Sequence, residues 1–496
     1  MQDIKIHFQD YSFVKVDCSP SIGMELRDYF SFEVEGARFS PRYKYSGWDG
    51  KIRLFTHENT LPIGLLKTLG IFAKNMGYSV WVDPRLLEKE DVTKESIDSW
   101  IDSLEVYSGS NKINPYWYQR EAVFQGIHNR RRMLVLPTSA GKSLIACMLS
   151  RWYLENYTGK ILIIVPTTSL VVQMRDDFVD YRLFPYEAIH TMMSGSGKHP
   201  GDRLITVSTW QSACKMPPEW FRQYGMLIVD ESHRASAKNI TNIINGMNHC
   251  QFKIGMTGSP KESKCHLMQY VGLFGDIQKI VAIKQLMDDG QVTQLKINAL
   301  FLKYKDEECK AMRGKDYQEE IKFINAHKVR NKLACNLALK LARKQENVFL
   351  MFRYSKHGKM LYNALQRVYD KVYYVSSEIT TAERDALKKM AENEKGLIVV
   401  ASYGVFSTGV SIKNLHHVIF GHPVKESTIV RQSIGRALRK HGSKAIAVVW
   451  DLIDVICSKD KKGKYTRKNY ALTHGLQRIN TYISDRFEYA TKTIEI

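Results

Sequence analysis

Apolar and polar residues alternate in the first part of the chain. The segments DIKIHF and FVKVDC show this alternation, which predicts two short strands with one buried face each. KIRLF and YSVWVD predict two more strands, and helices are expected over residues 21–30 and after Pro62. The pattern indicates a small α+β domain over residues 1–85. A charged connector follows over residues 86–111, with one amphipathic helix near 95–104.

The pattern changes at about residue 112, where continuous apolar segments alternate with helical ones. MLVLP, KILIIVP, LITVS, MLIVD and FKIGMTG predict parallel strands buried on both faces. A basic, less regular stretch over about 291–345 precedes a second set: NVFLMF, KVYYVS, GLIVVAS, HVIFG and AIAVVWD. We therefore expect two tandem parallel-sheet α/β domains, over residues 112–290 and 291–456. A basic C-terminal tail over 457–496 is expected to contain a helix near 469–487.

Composition and charge narrow the function classes. No run of about 18 uncharged apolar residues occurs, so no membrane span is expected. The eight cysteines form no C-x-x-C pair, which fits a reducing cytoplasmic setting. The net charge is +21, and residues 291–496 carry 38 basic against 20 acidic side chains. This imbalance favours a polyanionic partner, most simply nucleic acid, over a purely solubilising role.

The segment LPTSAGKS has the features of a phosphate-binding loop. It follows an apolar strand and opens a helix, the context in which helix amides and the helix dipole attract an anion. The usual leading glycine is absent, because Leu136 occupies its position. Lys142 is expected to reach the β- and γ-phosphates, and the Ser143 hydroxyl to ligate Mg²⁺. The predicted ATP-binding residues of the loop are Thr138, Ser139, Ala140, Gly141, Lys142 and Ser143.

Two carboxylates end the apolar strand MLIVD. Asp230 is expected to bind the magnesium ion of the nucleotide, and Glu231 to orient and deprotonate the attacking water. Both residues fit an ATP site whose loop lies earlier in the chain. The triplet 130–132, three arginines at the start of the strand before the loop, is interpreted as surface charge.

These motifs resemble those of superfamily 2 helicases. Asp230-Glu231-Ser232-His233 resembles the D-E-x-H box, and the loop resembles the form P-T-G-x-G-K-[ST], with Ser139 where glycine is commoner. YWYQ resembles the adenine-contacting motif, with Gln119 at the base edge. VPTTSLVVQ, STWQS and TGSP resemble motifs Ia, Ib and III. The nucleic-acid contacts implied by motifs Ia and Ib are Thr167, Thr168, Thr209 and Trp210.

The second domain carries the remaining motifs of this resemblance. LMFRYSKHGKML resembles motif IV, ASYGVFSTGVSIKNL motif V, and QSIGRALR motif VI. The resemblance implies two RecA-like domains with ATP between them. Arg436 and Arg439, spaced i and i+3, are expected to share one helical face and to meet the γ-phosphate. The other implied residues are Gln432 for catalysis, Gly409 for the nucleotide, and Ser407 and Thr408 for nucleic acid.

The N-terminal domain contains a stretch of interleaved basic and aromatic residues, RFSPRYKYSGWDGKIRLF. Such a composition suits phosphate contacts combined with base stacking. The alternative is an exposed hairpin with a packed Trp48. The predicted nucleic-acid contacts of this stretch are Arg42, Lys44, Trp48, Lys51 and Arg53.

The whole chain resembles the recombination helicases of T4-like phages, including segments outside the motor motifs such as PRYKYSGWDGKIRL and RKHGSKAIAVVWDLID. The resemblance implies an ATP- and Mg²⁺-dependent DNA helicase that unwinds and migrates branched DNA. Its expected substrates are stalled forks, Holliday junctions, D-loops and R-loops with their RNA–DNA hybrid. The expected context is recombination, repair and replication control in the infected host cytoplasm, with recombination or single-strand-binding proteins as partners. The alternatives are an RNA helicase, a non-catalytic scaffold, and the motor of a restriction system.

Overall fold

The computed structural model describes residues 2–34, 36–193, 197–232, 242–244, 246–258, 264–376, 379–404, 412–425, 427–442, 444–457 and 468–496. The chain divides into two compact units. The first consists of Met1–Leu136 and Ala140–Ile280, and the second contains Val281–Ile496. No helix within the described ranges is long and apolar enough to cross a membrane.

A four-stranded mixed sheet, in the order β5-β2-β1-β6, forms the centre of the N-terminal domain. Alternate residues of β1 and β2 are buried, among them Ile4, Ile6, Val14 and Val16, which confirms the predicted alternation. The strands are β1 (Ile4–Phe8), β2 (Phe13–Cys18), β3 (Ser31–Glu33), β4 (Lys51–Arg53), β5 (Thr60–Pro62) and β6 (Val80–Val82). The helices are α1 (Pro20–Tyr29), α2 (Pro41–Tyr45) and α3 (Leu66–Met76).

The connector contains the expected helix and a small hairpin. Helix α4 (Lys94–Ser103) begins at Thr93, whose hydroxyl accepts from the Ser96 N–H while the Ser96 hydroxyl accepts from the Thr93 N–H. This reciprocal capping satisfies two amides at the helix start. The hairpin pairs β7 (Tyr107–Ser108) with β8 (Asn111–Lys112).

The first α/β domain is a seven-stranded sheet in which all neighbouring strands are parallel, in the order β11-β12-β10-β13-β14-β9-β15. The strands are β9 (Arg131–Val135), β10 (Lys160–Val165), β11 (Ile189–Met192), β12 (Ile205–Thr209), β13 (Tyr224–Val229), β14 (Phe252–Thr257) and β15 (Ile277–Lys279). The helices are α5 (Trp117–Asn129), α6 (Lys142–Asn156), α7 (Thr168–Asp180), Trp210–Ala213, Pro218–Phe221 and Lys264–Phe274.

The second unit contains another seven-stranded parallel sheet, in the order β18-β19-β17-β20-β21-β16-β22. The strands are β16 (Gln294–Lys303), β17 (Val348–Phe352), β18 (Val372–Val375), β19 (Ile398–Ser402), β20 (His417–Phe420), β21 (Ile446–Val455) and β22 (Tyr489–Glu495). The helices are Ile283–Asp288, Asp306–Ala311, Tyr317–Ala326, Lys328–Ala342, Ser355–Gln366, Thr381–Asn393, Ser427–Ala437 and Tyr470–Ser484. The predicted pair of tandem parallel-sheet domains after a small α+β domain is confirmed.

The stretch over 291–345, which was expected to be less regular than its neighbours, consists of regular elements. Its strand β16 lies between β21 and β22 in the sheet, and three helices follow it. The sequence of β16, QLKINALFLK, has polar residues at its start and end, so it lacks the long apolar run by which the other strands were found. The last residues also form a strand, β22, that pairs with β16 in parallel.

The N-terminal domain packs against the first α/β domain through the turn between β1 and β2. Lys253, fully buried in β14, donates from Nζ to the Tyr11 carbonyl (2.9 Å) and to Ser12 Oγ (2.7 Å). Arg131 donates to the Tyr11 carbonyl and to the Leu273 carbonyl (2.8 Å). The interpretation of the 130–132 triplet as surface charge is therefore wrong.

The two neighbours of Arg131 are also held by specific partners. Arg130 pairs with Glu90 at 2.6 Å and Arg132 with Asp276 at 3.4 Å, and their side chains are only 22% and 14% exposed. The first side chains of β9 are partly buried because the N-terminal domain packs against the start of this strand. The local sequence pattern does not indicate that contact.

Candidate active site

The loop between β9 and α6 is shaped by two left-handed residues, Ser139 with φ 73° and Gly141 with φ 76°. The positive φ favours glycine at position 141, and a Cβ atom there would also lie 2.4 Å from Gln119 Nε2, so that side chain would have to move. Ser139 adopts a backbone region that favours glycine, which is the residue commoner at this position in the resembling helicases. Helix α6 begins at Lys142, and the first amides of a helix have no helical partner and suit phosphate.

The structure brings Lys142 together with the two carboxylates predicted from the strand end. Lys142 Nζ lies 2.8 Å from Glu231 Oε1, and the two side chains are 11% and 15% exposed. The Asp230 N–H donates to the Ile164 carbonyl at 2.9 Å, which ties the strand end to β10. The Glu231 N–H donates to Asp230 Oδ1 at 2.9 Å. This arrangement places one cation and two anions at the same edge of the sheet.

Asp230 has the electrostatic character of a cation ligand. Burial raises the pKa of the Asp230 carboxyl to about 6, the positive charge of Lys142 opposes the rise, and the negative charge of Glu231 adds to it. A carboxylate disfavoured by burial is stabilised by a nearby cation. The hydroxyl of Ser143 and the carboxylate of Asp230 are hard oxygen ligands of the kind that Mg²⁺ prefers, so the residues present fit that ion.

The hydroxyl of Ser143 has a partner that the sequence analysis missed. Its Oγ lies 2.8 Å from the hydroxyl oxygen of Tyr181, the residue that follows α7. Burial raises the pKa of the Tyr181 phenol above its ordinary value, so the hydroxyl stays protonated at neutral pH. Tyr181 stands 38 residues after Ser143, and no pattern near either residue indicates the contact.

Gln119 joins the start of α5 to the phosphate loop. Its Oε1 accepts from the Tyr116 N–H at 2.9 Å, and its Nε2 donates to the Ala140 carbonyl at 3.0 Å. The neighbouring aromatic side chains of Tyr116 and Trp117 are each 44% exposed. Gln119 is buried, and both ends of its amide bond backbone groups, so the structure places it against the phosphate loop while its contact with an adenine edge stays a prediction.

A cleft of about 570 Å³ opens at the carboxyl ends of β10 and β12. Thr167 caps α7 by accepting from the Leu170 N–H, and Thr209 caps the helix Trp210–Ala213. Both threonines and Thr168 line the cleft, but Trp210 packs partly buried against the apolar core. The other residues of the lining are Pro166, Met192, Met193, Lys198, Gln211, Ser212, Lys215 and Met216.

In the second unit, Gln432 and Arg436 lie on the helix Ser427–Ala437. Arg439 lies in the turn after the helix end, so the expectation that both arginines share one helical face is wrong. The Leu438 carbonyl accepts from the Thr293 N–H at 2.8 Å, and Lys444 Nζ donates to the Ala437 carbonyl at 2.6 Å. These contacts give partners to two carbonyls at the end of the helix. Ser407, Thr408 and Gly409 lie outside the described residues.

The basic and aromatic stretch of the N-terminal domain folds around α2. Trp48 is half-buried, donates from Nε1 to the Lys51 carbonyl at 2.8 Å, and has the Arg42 guanidinium 5.1 Å from its ring centroid. Arg53 pairs with Asp49 at 2.6 Å. Phe39 and Tyr45, which the sequence analysis did not name, are each 85% exposed.

Three family models match consecutive parts of the chain. They are the N-terminal domain of the DNA helicase UvsW at residues 3–83, the res subunit of type III restriction enzymes at 88–262, and the helicase conserved C-terminal domain at 329–441. The chain is 53% identical over 501 residues to the ATP-dependent DNA helicase UvsW of Enterobacteria phage T4, and the match covers the full length of both. The chain belongs to the UvsW family of ATP-dependent DNA helicases.

A solved structure and a more distant relative also match the chain. A crystal structure of T4 UvsW matches with a TM-score of 0.55 and 51% identity over 99% of each chain. The DNA 3′-5′ translocase XPB2 of Sulfurisphaera tokodaii is 25% identical over 399 residues, which are 73% of this chain and 86% of that protein. The two parallel sheets are the tandem RecA-like domains of a UvsW-family helicase, and the prediction of an ATP-hydrolysing DNA helicase is confirmed.

Proposed function

We propose that this UvsW-family helicase acts on branched DNA, namely stalled forks, Holliday junctions, D-loops and R-loops. Hydrolysis of ATP is coupled to branch migration and unwinding in recombination, repair and replication control. The observation that carries the proposal is an exposed aromatic and basic surface on an N-terminal domain that is fixed to the motor. We call this surface, formed by residues 38–45, the tip.

The composition of the tip favours an unpaired base near a phosphate backbone. Phe39 and Tyr45 expose nearly their whole rings, and Arg38 and Lys44 stand beside them in the chain. Aromatic faces stack on bases of any sequence, and basic side chains contact phosphates without sequence preference. Such a surface suits the point where paired strands separate, because unpaired bases and duplex backbone occur there together. Trp48 is less suited, since Arg42 already covers one face of its ring.

The packing of the N-terminal domain lets the tip act together with the motor. The buried Lys253 holds the turn between β1 and β2, and Gly64 lies against the backbone of the helix Lys264–Phe274. The tip and the cleft near Thr167 thus belong to one compact unit. We propose that the cleft contacts the sugar–phosphate backbone through Thr167, Thr168 and Thr209, as hydroxyls and helix-start amides do.

The ATP chemistry is assigned to the residues at the edge of the first sheet. Lys142 binds the transferred phosphate, Glu231 orients and deprotonates water, and Gln119 reads the adenine edge. Ser143 and Asp230 hold Mg²⁺, which when bound neutralises phosphate charge. In the second unit, Arg436 and Arg439 are proposed to stabilise charge at the γ-phosphate, and Gln432 is proposed to take part in catalysis.

Unwinding and ATPase assays on a four-way junction, a fork, an R-loop and a blunt duplex test the branched-DNA proposal. We expect stimulation by the three branched substrates to exceed that by the duplex at least several-fold at equal nucleotide concentration. Equal activity on all four contradicts the proposal. Single-stranded RNA and DNA of one sequence serve as further arms, because preference for RNA supports the RNA-helicase alternative.

A further inference from the structure

The hydroxyl of Ser143 contacts Tyr181, which directly follows the end of helix α7. The other end of α7 begins at the cleft that we propose as a DNA contact. Helix α7 begins after its cap Thr167 and ends at Asp180, and the Tyr181 side chain reaches Ser143 at 2.8 Å. One rigid element of thirteen residues therefore joins a proposed backbone contact to a proposed cation ligand.

Tyr181 is fixed on both sides of its backbone. Its N–H donates to the Asp177 carbonyl at 3.0 Å, and its carbonyl accepts from the Tyr107 N–H at 3.3 Å. The adjacent Asp180 accepts from the Gly109 N–H at 2.8 Å. Helix α7 is itself anchored by the buried Val171, Met174 and Phe178. A displacement of α7 consequently moves the Tyr181 hydroxyl instead of being absorbed by a loose turn.

The contact has a chemical consequence for a hydroxyl that ligates a cation. A serine hydroxyl has one proton and two lone pairs. When the Tyr181 oxygen accepts the Ser143 proton, both lone pairs of Ser143 stay available to the ion, and the rotation of the hydroxyl is fixed. Groups that orient a ligand in this way change metal affinity without touching the metal.

We propose that Tyr181 is a positioning residue that orients Ser143 toward Mg²⁺ and transmits DNA binding at the start of α7 to the nucleotide site. The proposal rests on the proposed functions of Ser143 and of the Thr167 cleft. DNA that binds Thr167 and Thr168 restrains the start of α7. Because Tyr181 directly follows α7, its hydroxyl is restrained as well, and that hydroxyl orients the Ser143 side chain. DNA is thereby expected to lower the Mg²⁺ concentration required for nucleotide binding.

The test is Tyr181→Phe in the full chain, which removes one hydroxyl and keeps the ring. A fluorescent ATP analogue is titrated with Mg²⁺, with and without single-stranded DNA, and also bound without Mg²⁺. Losing the contact is expected to raise the half-saturating Mg²⁺ concentration about threefold to tenfold. The shift produced by DNA is expected to disappear, and binding without Mg²⁺ to stay unchanged.

Tyr224→Phe is the matched control, because it also removes one tyrosine hydroxyl that bonds another hydroxyl. Tyr224 in β13 donates to the Thr206 hydroxyl in β12 at 2.9 Å, and neither residue lies in the phosphate loop. Equal Mg²⁺ dependence in Tyr181→Phe and the unmodified protein overturns the proposal, and so does an equal change in Tyr224→Phe. Ser143→Ala separates the two levels of inference. If Ser143→Ala alters the Mg²⁺ dependence and Tyr181→Phe does not, only the positioning role fails. If neither alters it, the cation site itself is wrong.

Discussion

Lys142 Nζ and Glu231 Oε1 lie 2.8 Å apart at the edge of the first sheet, as an ion pair between the phosphate loop and the residue proposed as the general base. Lys142 follows β9 and Glu231 follows β13, and these two strands are separated in the sheet by β14. The ion pair keeps the Lys142 ammonium group and the Glu231 carboxylate close to the proposed binding position of a nucleotide phosphate.

Lys142→Ala is expected to lower DNA-stimulated ATP hydrolysis by about 10²-fold or more, because a preorganised charge on the phosphates is lost. Phosphate release at saturating DNA measures the effect. Lys284→Ala is a control, since Lys284 forms an exposed pair with Asp288 on another helix. Hydrolysis that survives Lys142→Ala would refute the assignment of the site.

Glu231→Gln is expected to separate binding from chemistry. The amide keeps the shape of the side chain but has no basic oxygen, so hydrolysis should fall strongly while nucleotide affinity changes little. Binding of a fluorescent ATP analogue and phosphate release are measured on the same preparation. A parallel loss of both quantities would assign Glu231 to binding and not to proton transfer.

The double variant Phe39→Ala, Tyr45→Ala is expected to weaken binding to a four-way junction by about tenfold or more, because stacking contributes about 1–3 kcal/mol per base. Hydrolysis without DNA should not change. Fluorescence anisotropy with a labelled junction measures the affinity. Met24→Ala, which alters another exposed apolar side chain of the same domain, should bind normally. Point variants are preferable to removing residues 1–85, since that deletion exposes the apolar contacts of Met268 and Val271.

Gly64→Ala is expected to loosen the packing of the N-terminal domain on the motor. A Cβ atom at Gly64 would lie 1.9 Å from the Val271 carbonyl oxygen, so the two backbones must move apart. Overpacking of this kind costs about 1–3 kcal/mol. Thermal unfolding and limited proteolysis of the connector measure the change.

Gly70→Ala is the paired control for Gly64→Ala. Gly70 lies within α3, and a Cβ atom there would meet nothing within 4 Å. Alanine in a helix interior is favoured over glycine by about 1 kcal/mol, so this variant should be slightly more stable than the parent. Identical behaviour of the two variants would show that the contact at Gly64 does not hold the domains together.

His357 is expected to make the second unit less stable at acidic pH. Burial, with a smaller contribution from the Arg330 charge, lowers the pKa of the imidazole to about 3 from an ordinary value of 6.5. The unfolded chain binds the proton first, so the free energy of unfolding falls as the pH drops below 6.5 and continues to fall to about pH 3. Between pH 7.5 and 5.5 the loss from His357 is about 1.4 kcal/mol.

The comparison of His357→Gln with His199→Gln tests this pH dependence. Glutamine can still donate to Asn331 Oδ1, which lies 3.1 Å from His357 Nε2, but it does not titrate. His357→Gln should lose part of the acid destabilisation in chemical unfolding at the two pH values. Substitution of the exposed His199 should leave it intact. An unchanged slope in His357→Gln would mean that the imidazole is not neutral in the folded protein.

The sequence alone determined the fold class and predicted which residues form the ATP site. Parallel strands covered on both faces require continuous apolar runs, so β10, β13 and β17 were evident without a structure. The motifs along the chain predicted a site formed by Lys142, Asp230 and Glu231, and the structure brings these three residues together. Strands β16 and β22 were missed since their polar residues interrupt the apolar pattern.

Only the tertiary structure decided which distant residues meet. Arg131 was expected to be surface charge and Lys253 carried no expectation of a partner, yet both donate to the Tyr11 carbonyl. No motif or pattern in the sequence indicated Tyr181, yet its hydroxyl lies 2.8 Å from the hydroxyl of Ser143. The physical reason is that periodicity and motif spacing depend on local backbone geometry and on which face of an element is buried. A hydrogen bond between residues tens of positions apart depends on how elements pack, and packing leaves no periodic signal in one sequence.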